Sequence, residues 1–257
     1  MSQFNPKFLY KNKILSASQI SDSAGTSDSN KIKLFDRNYE TQYYGIGETS
    51  GTRTITIIVT SEITNIFLQN INWKNFTIKY DTSSTFSTPI AVTNNTESDL
   101  FFEFDSVTPT SNIAISVTQT MSSGDVLKCG QIYIGKQIFE MDNPGGSYRI
   151  EPVTKQKILE LSDGSYFKNY IRSIKNFNLQ IKCVSDDERL NYKAVFDVNR
   201  RDTFVFIPRP ATSPDVWDGV GGHYHWGNAP DFDNYTDDLF ANGYDVNMQL
   251  IQAGGVG

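Results

Sequence analysis

The first half of the chain carries short apolar runs separated by Ser, Thr, Asn and Gly. In Asn112–Thr118 the apolar side chains fall at every second position, which is typical of a half-buried β-strand. Together these runs predict antiparallel strands at Thr52–Thr60, Ile63–Gln69, Asn75–Tyr80, Leu100–Phe104, Asn112–Thr118 and Lys128–Ile134. Their spacing predicts a β-sandwich or jelly roll.

The pattern is interrupted at Met141–Ser147, where Asn-Pro and Gly-Gly break any regular element. We therefore predict a mainly β protein in which a jelly-roll domain, residues 1–140, precedes a smaller β-rich domain, residues 141–257. Within the second domain, strict alternation predicts strands at Asn176–Val184 and Tyr244–Leu250.

One helix is predicted in the second domain, because Ser185 is a good N-cap residue and Glu188 stands three positions later, as in a capping box. Leu190 would then begin its buried stripe. An apolar strand, Thr203–Ile207, follows and ends before two prolines. The Gly-, Pro- and Asp-rich segment Ala211–Asn234 predicts a long loop or extension.

The net charge of -6 resides at the C-terminal end. From residue 211 onward there is no Lys or Arg, and the acidic residues are Asp215, Asp218, Asp231, Asp233, Asp237, Asp238 and Asp245. The first 210 positions hold 22 acidic and 23 basic residues, without a basic stripe, so we expect no direct nucleic-acid recognition. The aspartates are either solvated or line a surface that repels an anion.

Motifs for catalysis are scarce: there is no phosphate-binding Gly-rich loop, no nucleophile elbow and no Cys-x-x-Cys. We therefore expect a protein that is not an enzyme and has no cofactor. His223 and His225 could point at one metal ion, although the glycines around them fit a surface loop equally well. Cys129 and Cys183 are expected to be buried thiols.

Neither a membrane span nor a secretory signal is recognisable, so we expect synthesis in a cytoplasm and no membrane insertion.

The segment FDRNYETQYY, residues 35–44, offers groups that suit a sugar or a protein partner. Tyrosine faces stack on sugar rings, and an Arg guanidinium is a bidentate donor. The candidate contact residues are Asp36, Arg37, Asn38, Tyr43, Tyr44 and, further along, Trp73. A packed turn with core aromatics is the alternative interpretation.

The first half resembles the discoidin, or galactose-binding-like, jelly roll. The similarity runs from SASQISDSAGTSDSNKIKLFDRNYETQYY through TRTITIIV and ITNIFLQNINWKNFTIKY to NIAISVTQT and CGQIYIG. In that family a Phe-Asp-x-Asn turn with a following Thr and aromatic residue precedes the first long core strand. Residues that match it are Phe35, Asp36, Asn38, Thr41 and Tyr43 or Tyr44. The family's frequent cysteine pair is missing.

The second half is similar to tail structural proteins of tailed bacteriophages in its order of elements: SDDERLNYKAVFDVNR, then FVFIPRP, a Trp-Gly loop and GYDVNMQLIQ. The resemblance implies a baseplate or tail-tip protein that forms a ring with copies of itself and contacts other tail proteins. In such a ring the aspartates would line the DNA channel and let DNA slide.

These resemblances lead us to predict a virion structural protein of a phage tail or baseplate, made in the host cytoplasm, which displays the jelly roll outward. The displayed domain would contact host-surface glycans or dock neighbouring tail proteins. The alternative hypothesis is a soluble carbohydrate-binding lectin or adhesin, and the third is a glycan hydrolase, which would need paired carboxylates in a pocket.

Overall fold

The structure is a computed structural model that describes residues 7–9, 12–23, 25–37, 41–45, 53–80, 90–107, 113–118, 126–136, 139–140, 148–160, 162–184, 187, 190, 203–207, 225–228, 236–240 and 243–252. Strands before residue 141 are β1 (Lys7–Leu9), β2 (Ile20–Asp22), β3 (Tyr43–Gly45), β4 (Arg53–Ile57), β5 (Ile63–Gln69), β6 (Phe76–Lys79), β7 (Ile90–Val92), β8 (Leu100–Val107), β9 (Ile113–Val117), β10 (Leu127–Cys129), β11 (Gln131–Gly135) and β12 (Phe139–Glu140). Later strands are β13 (Tyr148–Glu160), β14 (Tyr166–Val184), β15 (Thr203–Ile207), β16 (His225–Asn228), β17 (Thr236–Phe240) and β18 (Gly243–Gln252). The short helices are a 3-10 turn (Ala17–Gln19) and α1 (Asp28–Ile32).

The chain divides into two units. The first comprises Met1–Glu140, Val205–Tyr224 and Gly255–Gly257, and the second comprises Met141–Phe204 and His225–Gly254. The predicted boundary segment, residues 141–147, lies outside the described residues. Among the described residues, no helix combines the length and the apolar character needed to cross a bilayer.

The first unit is built from antiparallel sheets that share one core. A five-stranded sheet has the order β2-β4-β9-β6-β7, and a three-stranded sheet has the order β11-β5-β8. Alternate residues of β4 and β9, such as Ile57 and Ile115, are buried in the same cluster as Ile66 and Ile132 of the other sheet. The β-rich, jelly-roll-like fold predicted from the sequence is confirmed.

One predicted strand, Lys128–Ile134, is in fact two. β10 pairs with β3, whereas β11 pairs with β5, and the chain changes partner at Gly130. A Cβ added at Gly130 would lie 2.9 Å from the Cβ of Asn70, so only glycine allows this close approach. The run of strand-forming residues in the sequence did not reveal this change of partner.

Strands β5 and β11 are buried on both faces. Leu68 and Ile132 belong to the main core, and the alternate residues Phe67 and Tyr133 are buried as well. Three polar residues, Asn65, Gln69 and Gln131, are also fully buried in these strands. Buried polar groups normally have hydrogen-bond partners, so a buried polar side chain that lacks them lowers the stability of the protein.

Gln69→Met is expected to stabilise the protein. Neither Nε2 nor Oε1 of Gln69 has a hydrogen-bond partner in the described part of the chain, and an unpaired buried polar group costs about 1–3 kcal/mol. Methionine fills a similar volume without these polar atoms, so we expect a gain of about 1–2 kcal/mol in the free energy of unfolding, measured by urea denaturation.

Gln19→Met is the matched control for this prediction, because the Gln19 side chain bonds to backbone groups of Lys13, Leu15, Ser16 and Ile58. The same substitution should therefore destabilise at Gln19. A loss of stability in Gln69→Met would contradict the unpaired state of the Gln69 amide.

The strand predicted at Thr203–Ile207 is present, but three of its five residues belong to the first unit. Its residues Val205–Ile207 lie in the first unit, where they pair with β1 near the N-terminus. Phe8 packs on Phe206 with ring centroids 4.9 Å apart. Long-range pairing of this kind leaves no local trace in the sequence.

The second unit centres on β14, which pairs with β13 on one side and β18 on the other. The predicted strands at Asn176–Val184 and Tyr244–Leu250 lie within β14 and β18. β18 also pairs with β17. The expected loop Ala211–Asn234 contains a strand, β16, so that prediction was wrong at residues 225–228.

The helix predicted after Ser185 lies mostly outside the described residues, although Asp187 and Leu190 have helical backbone. Leu190 is 49% exposed, so it is not buried as the expected apolar stripe requires. The helical repeat determines which residues share a face, but only a packed neighbour buries that face.

Candidate functional site

A small cleft of about 20 Å³, partly open to solvent, lies at one end of the five-stranded sheet. Its lining combines apolar and polar side chains: Asp22, Ser23, Tyr43, Arg53, Thr54, Ile55, Trp73, Val117 and Leu127. A cleft of this size has room for about one water molecule or one hydroxyl group of a ligand.

Strand register brings these residues together. Arg53 at the start of β4 is opposite Val117 at the end of β9, and Asp22 at the end of β2 is opposite Ile55. Because the strands are antiparallel, the end of one meets the start of the next. The polar ends of β2 and β4 therefore lie beside apolar residues of the sheet.

A hydrogen-bonded trio forms one wall of the cleft. Asp22 accepts hydrogen bonds from the backbone N–H of Thr26, at 3.1 Å, and from its hydroxyl. The Tyr43 hydroxyl bonds to the side chains of Thr26 and Asp22, and burial raises the pKa of this phenol well above its usual value. Tyr43 therefore stays neutral and keeps its proton for hydrogen bonding.

Trp73 forms another part of the lining. It is 1% exposed and packs edge-on against Phe76, with centroids 5.7 Å apart. Among the residues that the structure describes, the Nε1 donor of this buried indole has no hydrogen-bond partner. A buried indole N–H normally has an acceptor. The unpaired Nε1 of Trp73 therefore favours the binding of a hydrogen-bond acceptor in the cleft.

Asparagine side chains hold the loop that carries Trp73. Asn72 donates to the carbonyl of Val126 and accepts from the N–H of Lys128, both at 2.8 Å. Asn95 donates to the Trp73 carbonyl at 2.8 Å. These bonds fix the loop between β5 and β6 against β10, and so position the indole.

The turn predicted as a contact site is tied to β11. The Asp36 carboxylate accepts from the Thr41 hydroxyl and from the Gln131 amide, both at 2.6 Å. Arg37 adopts a left-handed backbone, φ 61, and its N–H donates to Gln131 Oε1 at 3.1 Å. Asn38 lies outside the described residues. The Asp36 carboxylate thus has a structural role in this turn.

The aromatic candidates separate into core and surface. Tyr43 and Trp73 are buried, so the expectation that either presents an open face to a ligand is corrected. Tyr44 is 43% exposed, with Lys33 Nζ 5.5 Å from its ring centroid. Successive residues of a strand point to opposite sides, which is why Tyr43 faces the core and Tyr44 faces solvent.

Of the acidic candidates, Asp237 and Asp238 lie in β17, and Asp245 lies in β18. Asp215, Asp218, Asp231, Asp233 and His223 lie outside the described residues. His225 begins β16. No cluster of three or more metal-ligating side chains occurs among the described residues.

Cys129 is buried as predicted, and burial raises the pKa of its thiol, so it stays protonated. The side chain of Cys183 lies outside the description.

Two residues of the cleft, Asp22 and Arg53, were missed in the sequence. They are 31 positions apart, and each stands at the end of a short strand among other polar residues. A charged residue at a strand end is a common surface feature. Only the pairing of β2 with β4 brings them to one cleft.

Comparison with known proteins gives a limited result. No family model and no curated protein matches the chain. One similar solved structure is described as CpGH89CBM32-6 produced by Clostridium perfringens: it is 16% identical, with a TM-score of 0.38. The match covers 49% of this chain and 99% of that one. A likeness this weak carries no information about a ligand.

Proposed function

We propose that the first unit is a carbohydrate-binding module in which one hydroxyl group of a bound sugar enters the cleft. A sugar ring has an apolar C–H face and a rim of hydroxyl groups. The cleft has apolar side chains, such as Ile55 and Val117, near the indole of Trp73. Apolar side chains suit the C–H face of the ring, and the indole N–H suits a hydroxyl oxygen of its rim.

The observation that carries this proposal is the unpartnered Nε1 of Trp73. Leaving a buried donor unpaired costs about 1–3 kcal/mol, and a ligand oxygen would recover that cost. The donor therefore favours an occupant that accepts hydrogen bonds. The neutral Tyr43 phenol on the neighbouring wall can exchange hydrogen bonds with the same occupant.

Trp73→Phe tests the proposal, because it removes the indole N–H while it keeps an aromatic ring in the core. We expect affinity for the bound sugar to fall about 3- to 10-fold, the value of one neutral hydrogen bond. A glycan array would identify the ligand, and titration calorimetry with the monosaccharide shared by the bound glycans would measure the change.

Tyr44→Ala is the matched control, because Tyr44 is exposed and lies outside the cleft. We expect it to bind the sugar as the natural chain does. If Tyr44→Ala abolishes binding while Trp73→Phe leaves it intact, the ligand lies on the Tyr44 face and the cleft proposal is wrong. Absence of binding to any glycan would also contradict it.

The hydrolase hypothesis gains no support from this cleft. Asp22 is the one carboxylate among its described lining residues, whereas the usual glycosidase mechanism uses two. The role in a phage tail or baseplate stays a prediction from the second half of the sequence.

A further inference from the structure

A two-stranded arm extends from the sheet of the second unit. β18 pairs with β14 from Asn176 to Val184, so in the described chain Tyr166–Lys175 of β14 pairs only with β13. We call the paired segment from Pro152 to Lys175 the arm. At about 3.3 Å per residue it projects roughly 30 Å beyond the third strand. An isolated two-stranded ribbon is marginally stable in water, so such an arm gains from a partner.

The tip of the arm exposes apolar side chains. Ile158 is 52% exposed, Leu159 is 43% exposed and Tyr166 is 66% exposed. The turn between them is well formed, because Asp163 accepts hydrogen bonds from the N–H and the hydroxyl of Ser165. The exposed residues therefore sit on an ordered tip, a feature that is typical of an interaction surface.

The arm is also basic. From residue 152 to 175 the sequence has five basic residues and two acidic ones, a net charge of +3. Lys155 of β13 and Arg172 of β14 are directly opposite register partners. The register therefore places two basic residues at the same level of the arm.

The other end of the same sheet shows the opposite pattern. β17 and β18 form a hairpin in which Asp238 and Asp245 are directly opposite each other. Asp237 is the neighbour of Asp238, and no Lys or Arg occurs from residue 211 to the last residue. We call the paired segment from Thr236 to Asn247 the acidic hairpin.

Within one copy the two ends are too far apart to neutralise each other. Asp237 is opposite Val246, which in turn is opposite Ile181 of β14. From Ile181 to Arg172 along β14 is roughly 30 Å at about 3.3 Å per residue. That separation is about three Debye lengths at 0.1 M salt, where the Debye length is about 10 Å, so the attraction is screened.

We infer that the arm of one copy docks on the acidic hairpin of a second copy, so that the chains associate head to tail through their second units. Each contact leaves a free arm and a free acidic hairpin, and repetition therefore produces a ring or an open filament. This association is independent of sugar binding by the first unit.

Sedimentation velocity of the full chain at increasing concentration tests the inference. We expect oligomers at low salt that dissociate as ionic strength rises. Lys155→Glu should weaken association at least 10-fold while it raises Tm, because Glu opposite Arg172 is a favourable pair. If Lys155 had only a structural role, association and Tm would change in the same direction. Lys74→Glu, a charge reversal in the first unit, should leave association unchanged.

A charge-exchange experiment makes the partner explicit. One variant carries Lys155→Glu and Arg172→Glu, and the other carries Asp238→Lys and Asp245→Lys. Neither should associate alone, whereas a mixture should assemble because each altered end then meets its complement. A natural chain that stays monomeric up to its solubility limit would overturn the inference. So would oligomers that persist in both variants, or a mixture that fails to assemble while both variants remain folded by circular dichroism.

Discussion

Gln131→Leu should cost the protein about 3–5 kcal/mol of unfolding free energy. The fully buried Gln131 amide donates to the Lys33 carbonyl at 3.0 Å and to the Asp36 carboxylate at 2.6 Å. Its Oε1 accepts from the Arg37 N–H at 3.1 Å. Leucine fills the space but leaves these three half-buried groups without the amide, and each lost hydrogen bond costs about 1–1.5 kcal/mol.

Asp36→Asn is the milder companion variant. Its side-chain oxygen can still accept from Gln131, so we expect a loss of about 1 kcal/mol, mainly from the charge-assisted part of the bond. Urea denaturation with an unchanged m-value would measure both variants. If Gln131→Leu costs no more than Asp36→Asn, the amide does not hold the turn to β11 and the interpretation fails.

Trp73→Ala is expected to destabilise the protein by about 3–5 kcal/mol, the range for deleting a large buried aromatic side chain. Trp73 is among the largest fully buried side chains and contacts Phe76, which itself packs edge-on against Phe102. Removal would open a cavity between the two sheets. We expect Tm to fall by roughly 10 °C in this variant.

Tyr44→Ala again provides the contrast, now for stability. Tyr44 is 43% exposed, so its truncation should cost less than about 1 kcal/mol. Comparable losses in Tyr44→Ala and Trp73→Ala would show that burial does not separate these two residues. Thermal unfolding followed by circular dichroism is sufficient for the comparison.

Hydrophobic alternation predicted most of the strands that build the first unit. The strand predicted at Ile63–Gln69 has the observed bounds, and Asn112–Thr118 contains β9. β9 alternates because a strand with one buried face places its apolar residues at every second position, whereas β5 is buried on both faces and is a nearly continuous apolar run. β1 and β12 were missed because strands of three and two residues are too short to show a period.

The candidate site could not be predicted in the same way. Tyr43 and Tyr44 are adjacent and chemically alike, and only the pairing of β3 with β10 decides which of them faces the core. The bond between Asp36 and Gln131 joins residues 95 positions apart. The cleft likewise joins the ends of strands that are distant in the chain, so no local pattern marks it.

By itself, the sequence determined that the protein is mainly β, where its apolar strands lie and that its charge is concentrated near the C-terminal end. These properties follow from side-chain chemistry and from a two-residue repeat, which act within a few positions. The tertiary structure decided which aromatic residues are buried, that β15 pairs with β1 and that opposite charges lie at opposite ends of one sheet. Those outcomes depend on which strands pair, and strand pairing is selected by the burial of the whole core.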